Sequence, residues 1–131
     1  METDEQKRPV MVITGTSKGV GNEVARYFLA NGYSVAGCSR GESTIEDDNY
    51  LHSQVDVSEE KQVQSWIRTL KKKFGRVDVL VCNAGVLNSF SHLALTPGSL
   101  LTSFLNINIA GTFYVCREIS KLMILQQGGS I

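Results

Sequence analysis

Residues 10–131 predict a doubly wound parallel α/β sheet, and three observations carry that prediction. A run of β-formers, Val10-Met-Val-Ile-Thr14, has no polar side chain on either face until its last residue, as suits a central strand covered on both sides. It runs into the glycine turn Gly15-Thr-Ser-Lys-Gly19-Val-Gly21 and then into a helical pattern. Further β runs then alternate with helical segments, the order of right-handed crossovers in a single sheet.

Taken in order, Val10 to Thr14 is the first strand. Val20 to Ala30 follows as a helix with Val20, Val24, Tyr27 and Phe28 on one stripe and Asn31-Gly32 as terminator. Tyr33 to Ser39 is a second strand and Tyr50 to Val57 a weaker third. Ser58 reads as the N-cap of a helix with Val63, Trp66, Ile67, Leu70 and Phe74 at helical spacing up to Gly75. Val77 to Cys82 is the fourth strand. Ser99 to Gln127 reads as one long helix with a break near its start, ended by Gly128-Gly129. Residues 1–9 form a polar tail, and no repeats or linkers divide the remainder.

Composition narrows the function classes. The chain has 131 residues, is 42% hydrophobic and 20% charged, and carries no formal net charge, which argues against nucleic acid or an anionic membrane as partner. The basic run Lys71-Lys72-Lys73 falls at a helix end, where cations complement the dipole. No apolar stretch is expected to reach membrane-spanning length, and the N-terminus has neither a signal-peptide nor a transit-peptide pattern. Cys38, Cys82 and Cys116 are odd in number, lack metal spacing and lie in apolar runs, so they read as reduced, buried thiols. The expected compartment is the cytoplasm, with mitochondria as the alternative. His52 and His92 have no companions at ligand spacing and read as surface or loop histidines, and no metal site is expected.

The glycine turn is suited to a dinucleotide. Backbone N–H groups at a helix start and the positive end of its dipole attract a pyrophosphate, and glycine lets phosphate approach the main chain. The spacing Gly-x-x-x-Gly-x-Gly is neither the commoner Gly-x-Gly-x-x-Gly fingerprint nor a Walker loop. Gly15, Ser17, Lys18, Gly19, Val20 and Gly21 are therefore assigned to the cofactor. At the end of the second strand, where a carboxylate would take a ribose 2′-hydroxyl, stand Ser39 and Arg40. Arg40 with Lys18 suits a 2′-phosphate, which favours NADP(H) over NAD(H).

Thr14 before this glycine spacing resembles the cofactor loop of the short-chain dehydrogenase/reductase family, and three further patches are similar to that family. Asp56-Val57 resembles the pair that meets the adenine edge. Cys82-Asn83-Ala84-Gly85 resembles the family's Asn-Asn-Ala-Gly beside the cofactor ribose, with Cys82 in place of the first Asn. Asn106-Ile-Asn-Ile-Ala-Gly111 resembles the Asn-x-x-Gly segment, and alignment on Gly111 selects Asn108 as the catalytic asparagine that kinks the helix and holds a proton-relay water. A buried Asn108 also needs a definite hydrogen-bond partner on physical grounds, whether or not it relays protons.

The resemblance implies a Rossmann fold and hydride transfer between nicotinamide and a small carbonyl or alcohol substrate. It also implies a catalytic Ser and a Tyr-x-x-x-Lys motif. Tyr27, Tyr33, Tyr50 and Tyr114 are followed four places on by Asn31, Gly37, Gln54 and Glu118, so the motif is not present. Gln126-Gln-Gly-Gly-Ser-Ile131 resembles the approach to the fifth strand. The expectation is thus the cofactor-binding half of a carbonyl or 3-oxoacyl carrier-protein reductase-like enzyme, with a truncated, inactive dinucleotide-binding protein as the alternative. A homo-oligomer assembled through the long helix is expected, with Phe104, Ile107, Phe113, Ile119 and Met123 as its uncovered apolar residues.

Overall fold

The computed structural model describes residues 7–87 and 92–131. It has strands β1 (Val10–Thr14), β2 (Ser34–Ser39), β3 (Tyr50–Gln54) and β4 (Val79–Val81), with helices α1 (Gly19–Ala30), α2 (Glu60–Phe74), α3 (Gly98–Phe104) and α4 (Thr112–Gln126). The four strands form one parallel sheet in the order β3-β2-β1-β4. Strand order reverses between β1 and β4, so the carboxyl ends of these two neighbours open a crevice.

Pleating sends alternate β1 side chains to opposite faces, and each face has its own core. Met11 and Ile13 pack with Ala25 and Leu29 of α1 and with Val35. Val12 packs on the other face with Val63, Trp66, Ile67 and Leu70 of α2 and with Val115, Ile119 and Met123 of α4. Every β1 residue is buried, as the uninterrupted apolar run requires.

Several elements differ from their sequence expectation. On α1 the buried residues are Gly21, Asn22, Ala25 and Leu29, whereas Val20 is 72% and Tyr27 65% exposed. Glycine and alanine bring the helix close to the sheet, so the face rich in large apolar residues is not the one turned fully inward. The third strand stops at Gln54, and the N-cap of α2 is Glu59 rather than Ser58. The Ser58 hydroxyl instead donates to the Asp56 carboxylate at 2.6 Å. Gly75 closes α2 in the left-handed region at φ 72°.

The long helix starts at Gly98 after Pro97 and is not broken. Leu105–Gly111, between α3 and α4, winds as a π-helix with right-handed helical backbone on both flanks. Gly98–Gln126 is thus a 29-residue helical run, long and apolar enough by length and composition to cross a bilayer. The expectation that no apolar stretch reaches spanning length is corrected on length and composition alone: the Ser, Thr and Asn residues that interrupt the run are uncharged and too few to bring its most apolar 18 residues below a mean hydropathy of 1.3. In the fold its later turns lie against α2 and the sheet: Val115, Ile119 and Met123 are buried, so Ile119 and Met123 leave the expected uncovered set. Phe113 is exposed together with Leu101, Leu105 and Ile109.

Residues 7–9 are more than a tail. Arg8 Nη2 donates to the Tyr33 carbonyl at 2.9 Å, and the Pro9 carbonyl accepts from Ser34 N–H at 2.9 Å. Residues 1–6 of the expected polar tail lie outside the described residues. At the other end Ser130 bridges Val79 in parallel, its N–H donating to the Asp78 carbonyl at 3.0 Å and its carbonyl accepting from Leu80 N–H at 2.9 Å.

Candidate functional site

A cleft of about 410 Å³ opens at the carboxyl ends of the strands, lined by Gly15, Ser17, Lys18, Ser39, Arg40, Asp56, Val57, Asn83, Ala84 and Gly85 among others. These sequence-selected residues come from four separate segments. Gly19, Val20 and Gly21 do not line it with side chains, and the Val20 side chain faces solvent. All three belong to the first turn of α1, whose orphan N–H groups are the anion-attracting feature.

Close packing explains the glycines. Gly15 sits at φ +79°, a left-handed conformation that favours glycine. A Cβ on Gly21 would collide with the Gly15 carbonyl oxygen and lie 2.5 Å from Asn83 Nδ2. A Cβ on Gly85 would stand 3.2 Å from Asn108 Oδ1, and one on Gly111 would meet Val57 Cγ2 at 2.7 Å. At these glycines main chain therefore lies directly against its neighbours, the Gly15 carbonyl and the Asn83, Asn108 and Val57 side chains.

Asn83 binds the first and fourth strand ends together. Its Nδ2 donates to the carbonyls of Thr14 and Gly15, both at 3.1 Å. Thr14 Oγ1, itself buried, accepts from the N–H groups of Asn83 at 3.1 Å and Ala84 at 2.9 Å. The glycine turn is held from below by Gly15 N–H, which donates to the Cys38 carbonyl at 2.7 Å. Asn22, buried on α1, donates to the Thr16 carbonyl at 3.0 Å and accepts from Arg26 Nε at 2.9 Å. Sequence reading missed Asn22. The available signal was an amide on the sheet-facing side of a helix, where only a specific partner makes it tolerable.

The cleft is lined by two cations, Lys18 and Arg40, and one carboxylate, Asp56. Lys18 and Arg40 form no ion pair among the described residues. Asp56 Oδ1 accepts from the Ser58 N–H at 3.0 Å and from its hydroxyl, and the Asp56 N–H donates to Gln62 Oε1 at 2.9 Å. The carboxylate is thereby fixed in orientation with Oδ2 as its remaining acceptor. Asn108 has the expected partner: Oδ1 accepts from Val86 N–H at 2.8 Å and Nδ2 donates to the Val86 carbonyl at 3.0 Å. Both ends of the amide are used, so the side chain pins the loop after Gly85 to the π-helical segment. The helix is locally widened there, because Asn108 lies within the π-helical turn.

The thiols divide differently from expectation. Cys38 is buried, and burial pushes its pKa up to about 12. Cys82 and Cys116 are only half-buried and face each other at 3.5 Å between sulfurs. Burial, then the Cys116 contact, raises Cys82 to about 12 as well. The cysteine that replaces the family's asparagine thus points to α4 rather than into a lost hydrogen bond of the cleft. His92 is exposed at a 3₁₀ turn, as expected, but His52 is not a loose surface residue. It is half-buried and within hydrogen-bond reach of Tyr50 and Gly41.

Comparison with known proteins agrees with this architecture. The family model described as short chain dehydrogenase matches residues 9–131. Carbonyl reductase family member 4 of Xenopus laevis is 35% identical over 93% of this chain and 53% of its own length. The human 3-oxoacyl-[acyl-carrier-protein] reductase is 34% identical over 93% of this chain and 54% of its own. The solved structure of ElxO with NADP bound superposes with a TM-score of 0.86 at 35% identity, covering 93% of this chain and 53% of that one. The chain spans about half the length of these relatives. A glycine turn packed on the end of β4, an asparagine pinning a π-helical turn and a matching family model across residues 9–131 lead to one conclusion: this chain belongs to the short-chain dehydrogenase family.

Proposed function

We propose that the protein carrying this chain is an NADP(H)-dependent oxidoreductase that transfers hydride between nicotinamide and a small carbonyl or alcohol substrate, and that these residues form its cofactor-binding half. The observation that carries the reading is the pair Lys18 and Arg40 at one cleft, without an ion-pair partner among the described residues, where a carboxylate would otherwise select a 2′-hydroxyl. Nearby relatives with reductase names and a neighbour described as NADP-bound support it.

The cradle fits such a cofactor: Gly15, Gly21 and Gly85 pack closely on neighbouring protein atoms and hold the turn against the end of β4, while Gly19, at φ +65° with nothing within 4 Å of an added Cβ, leaves open space at the first turn of α1. When bound, the nicotinamide supplies or accepts the hydride. The residues of this chain bind and orient: the first turn of α1 faces the pyrophosphate, Arg40 and Lys18 the 2′-phosphate, Asp56 Oδ2 and the Val57 backbone the adenine. Asn83, Ala84 and Gly85 border the ribose, and Asn108 holds the adjoining loop. In the proposed reaction the proton is moved by the Tyr-x-x-x-Lys motif that the family resemblance implies outside these residues. Subunit assembly through the exposed Leu101, Leu105, Ile109 and Phe113 stripe belongs to the same proposal.

Replacing Arg40 by Asp in the whole protein tests the assignment. The ratio of kcat/KM for NADPH over NADH should fall by more than about fivefold, beyond the ~1 kcal/mol of one ordinary hydrogen bond. A smaller change means that Arg40 does not meet the 2′-phosphate.

A further inference from the structure

His52 lies on β3, which pairs with β2 so that His52 stands opposite Gly37. Its ring reaches in two directions. Nε2 is 2.8 Å from the Gly41 carbonyl and 3.4 Å from Ser39 Oγ, while Ser39 Oγ donates to the same Gly41 carbonyl at 2.9 Å. Nδ1 is 3.0 Å from the Tyr50 hydroxyl, which is 2.9 Å from Thr16 Oγ1. A carbonyl can only accept, so the Gly41 contact requires the proton on Nε2.

These contacts join the two segments that would grip the phosphates of a 2′-phosphorylated dinucleotide. Thr16 sits inside the glycine turn between Gly15 and Ser17, and Ser39 and Gly41 flank Arg40 on either side. Gly37 makes the crossing over β2 possible, because a Cβ there would lie 2.5 Å from Thr16 Oγ1 and press on the Tyr50 hydroxyl. Arg40 itself is exposed and makes no ion pair among the described residues. A guanidinium on an unrestrained loop would lose conformational entropy on meeting a phosphate, and fixing the backbone on both sides reduces that loss.

We propose that His52 is a positioning residue for nucleotide selectivity: by holding Gly41 and Ser39 it presents Arg40 to the 2′-phosphate, and through Tyr50 and Thr16 it ties that presentation to the glycine turn. The inference rests on the NADP(H) reading. It assigns to the third strand a share in a specificity otherwise read from the end of the second.

The test compares two amides in the whole protein. His52→Gln keeps an N–H donor at the reach of Nε2 and should retain the wild-type NADPH/NADH ratio of kcat/KM and of dissociation constants within about twofold. His52→Asn places its amide near Nδ1, too short for Gly41, and should lower both ratios by about fivefold, one hydrogen bond's worth, almost entirely through weaker NADPH binding. In an Arg40→Ala background the His52→Asn change should have no further effect on the ratio, since it acts through Arg40. Equal weakening of NADPH and NADH by His52→Asn, no difference between Asn and Gln, or an additive effect on top of Arg40→Ala overturns the proposal. If Arg40→Ala alone leaves the ratio unchanged, the NADP(H) reading itself fails. If it collapses the ratio while His52→Asn does not, only the role of His52 fails.

Discussion

An alanine at position 21 is the most demanding probe of how the glycine turn is built. Its Cβ would overlap the Gly15 carbonyl oxygen, stand 2.5 Å from Asn83 Nδ2 and 2.9 Å from the Gly15 carbonyl carbon. Relief cannot come from Gly15, whose N–H is held by the Cys38 carbonyl at 2.7 Å and whose carbonyl is held by Asn83 at 3.1 Å. The helix and the turn must therefore separate. Overpacking of this kind costs about 1–3 kcal/mol, and losing the Asn83 bond to Gly15 adds about 1 kcal/mol. At roughly 4 °C per kcal/mol the whole protein carrying Gly21→Ala should melt on the order of 10 °C lower. Cofactor affinity should fall at least tenfold, because the turn and the first N–H groups of α1 no longer face one phosphate together. Gly98→Ala is the matched control: nothing lies within 4 Å of its added Cβ, and it opens α3 without a positive φ. Scanning calorimetry and isothermal titration with NADPH measure both effects. A Gly21→Ala protein that melts and binds like the Gly98→Ala control refutes the close-approach argument.

Asn108→Ala strands the N–H and carbonyl of Val86, so it should cost about 1–3 kcal/mol in a thermal or denaturant melt. Asn108→Asp keeps the acceptor for Val86 N–H but loses the donor, and should fall between alanine and wild type. Asp78 gives a pH signature: desolvation pushes its carboxyl up, but the bonds from Arg76 and from the Val10 N–H outweigh this and hold it below the usual carboxylate range. A carboxyl lowered on folding stabilises above its unfolded pKa of about 4 and loses that contribution as pH falls through the folded value. The melting-temperature gap between wild type and Asp78→Asn should therefore be full at neutral pH and close below pH ~4. Cys38 and Cys82, both raised to about 12, should resist alkylation by iodoacetamide at pH 8 in the native protein, as read by peptide mass spectrometry. The 131-residue chain expressed alone should turn over no NADPH with a diketone, because the proton donor implied by the family is not among its residues, and turnover above a Gly19→Asp control would contradict the assignment of roles.

Much of the fold was legible because strand and helix leave different apolar periods, and the fully buried β1 and the α2 stripe from Val63 to Leu70 are cases without competing signals. Helix α1 was misread on its inward face. Periodicity rewards large apolar residues, but this helix lies so close to the sheet that Gly21 and Ala25 occupy the contact and Tyr27 is left outside. The cleft was legible in its linear motifs, the glycine turn, Ser39-Arg40, Asp56-Val57 and Asn83 to Gly85. What held those motifs together was not. Asn22, Tyr50 and His52 act across gaps of 6, 34 and 11 residues, and a single sequence carries no record of which distant polar groups meet. Ser58 shows the converse, a residue of the right type for a cap whose hydroxyl is taken by Asp56 two places earlier.

The bonds from Asn83 to Thr14 and Gly15 span 69 and 68 residues of chain. Closing a loop of that length is an entropic cost met only when β1 and β4 pair, so until then the glycine turn has its Cys38 contact on β2 but not its Asn83 one. The cleft is for this reason completed only by segments far apart in the chain and is not a preformed local motif. A ligand that binds only the finished site draws the chain toward the paired sheet by mass action. During synthesis, then, the first 78 residues can form β1, α1, β2, β3 and α2 and still lack the Asn83 wall of the cleft until β4 and the loop after it have been made.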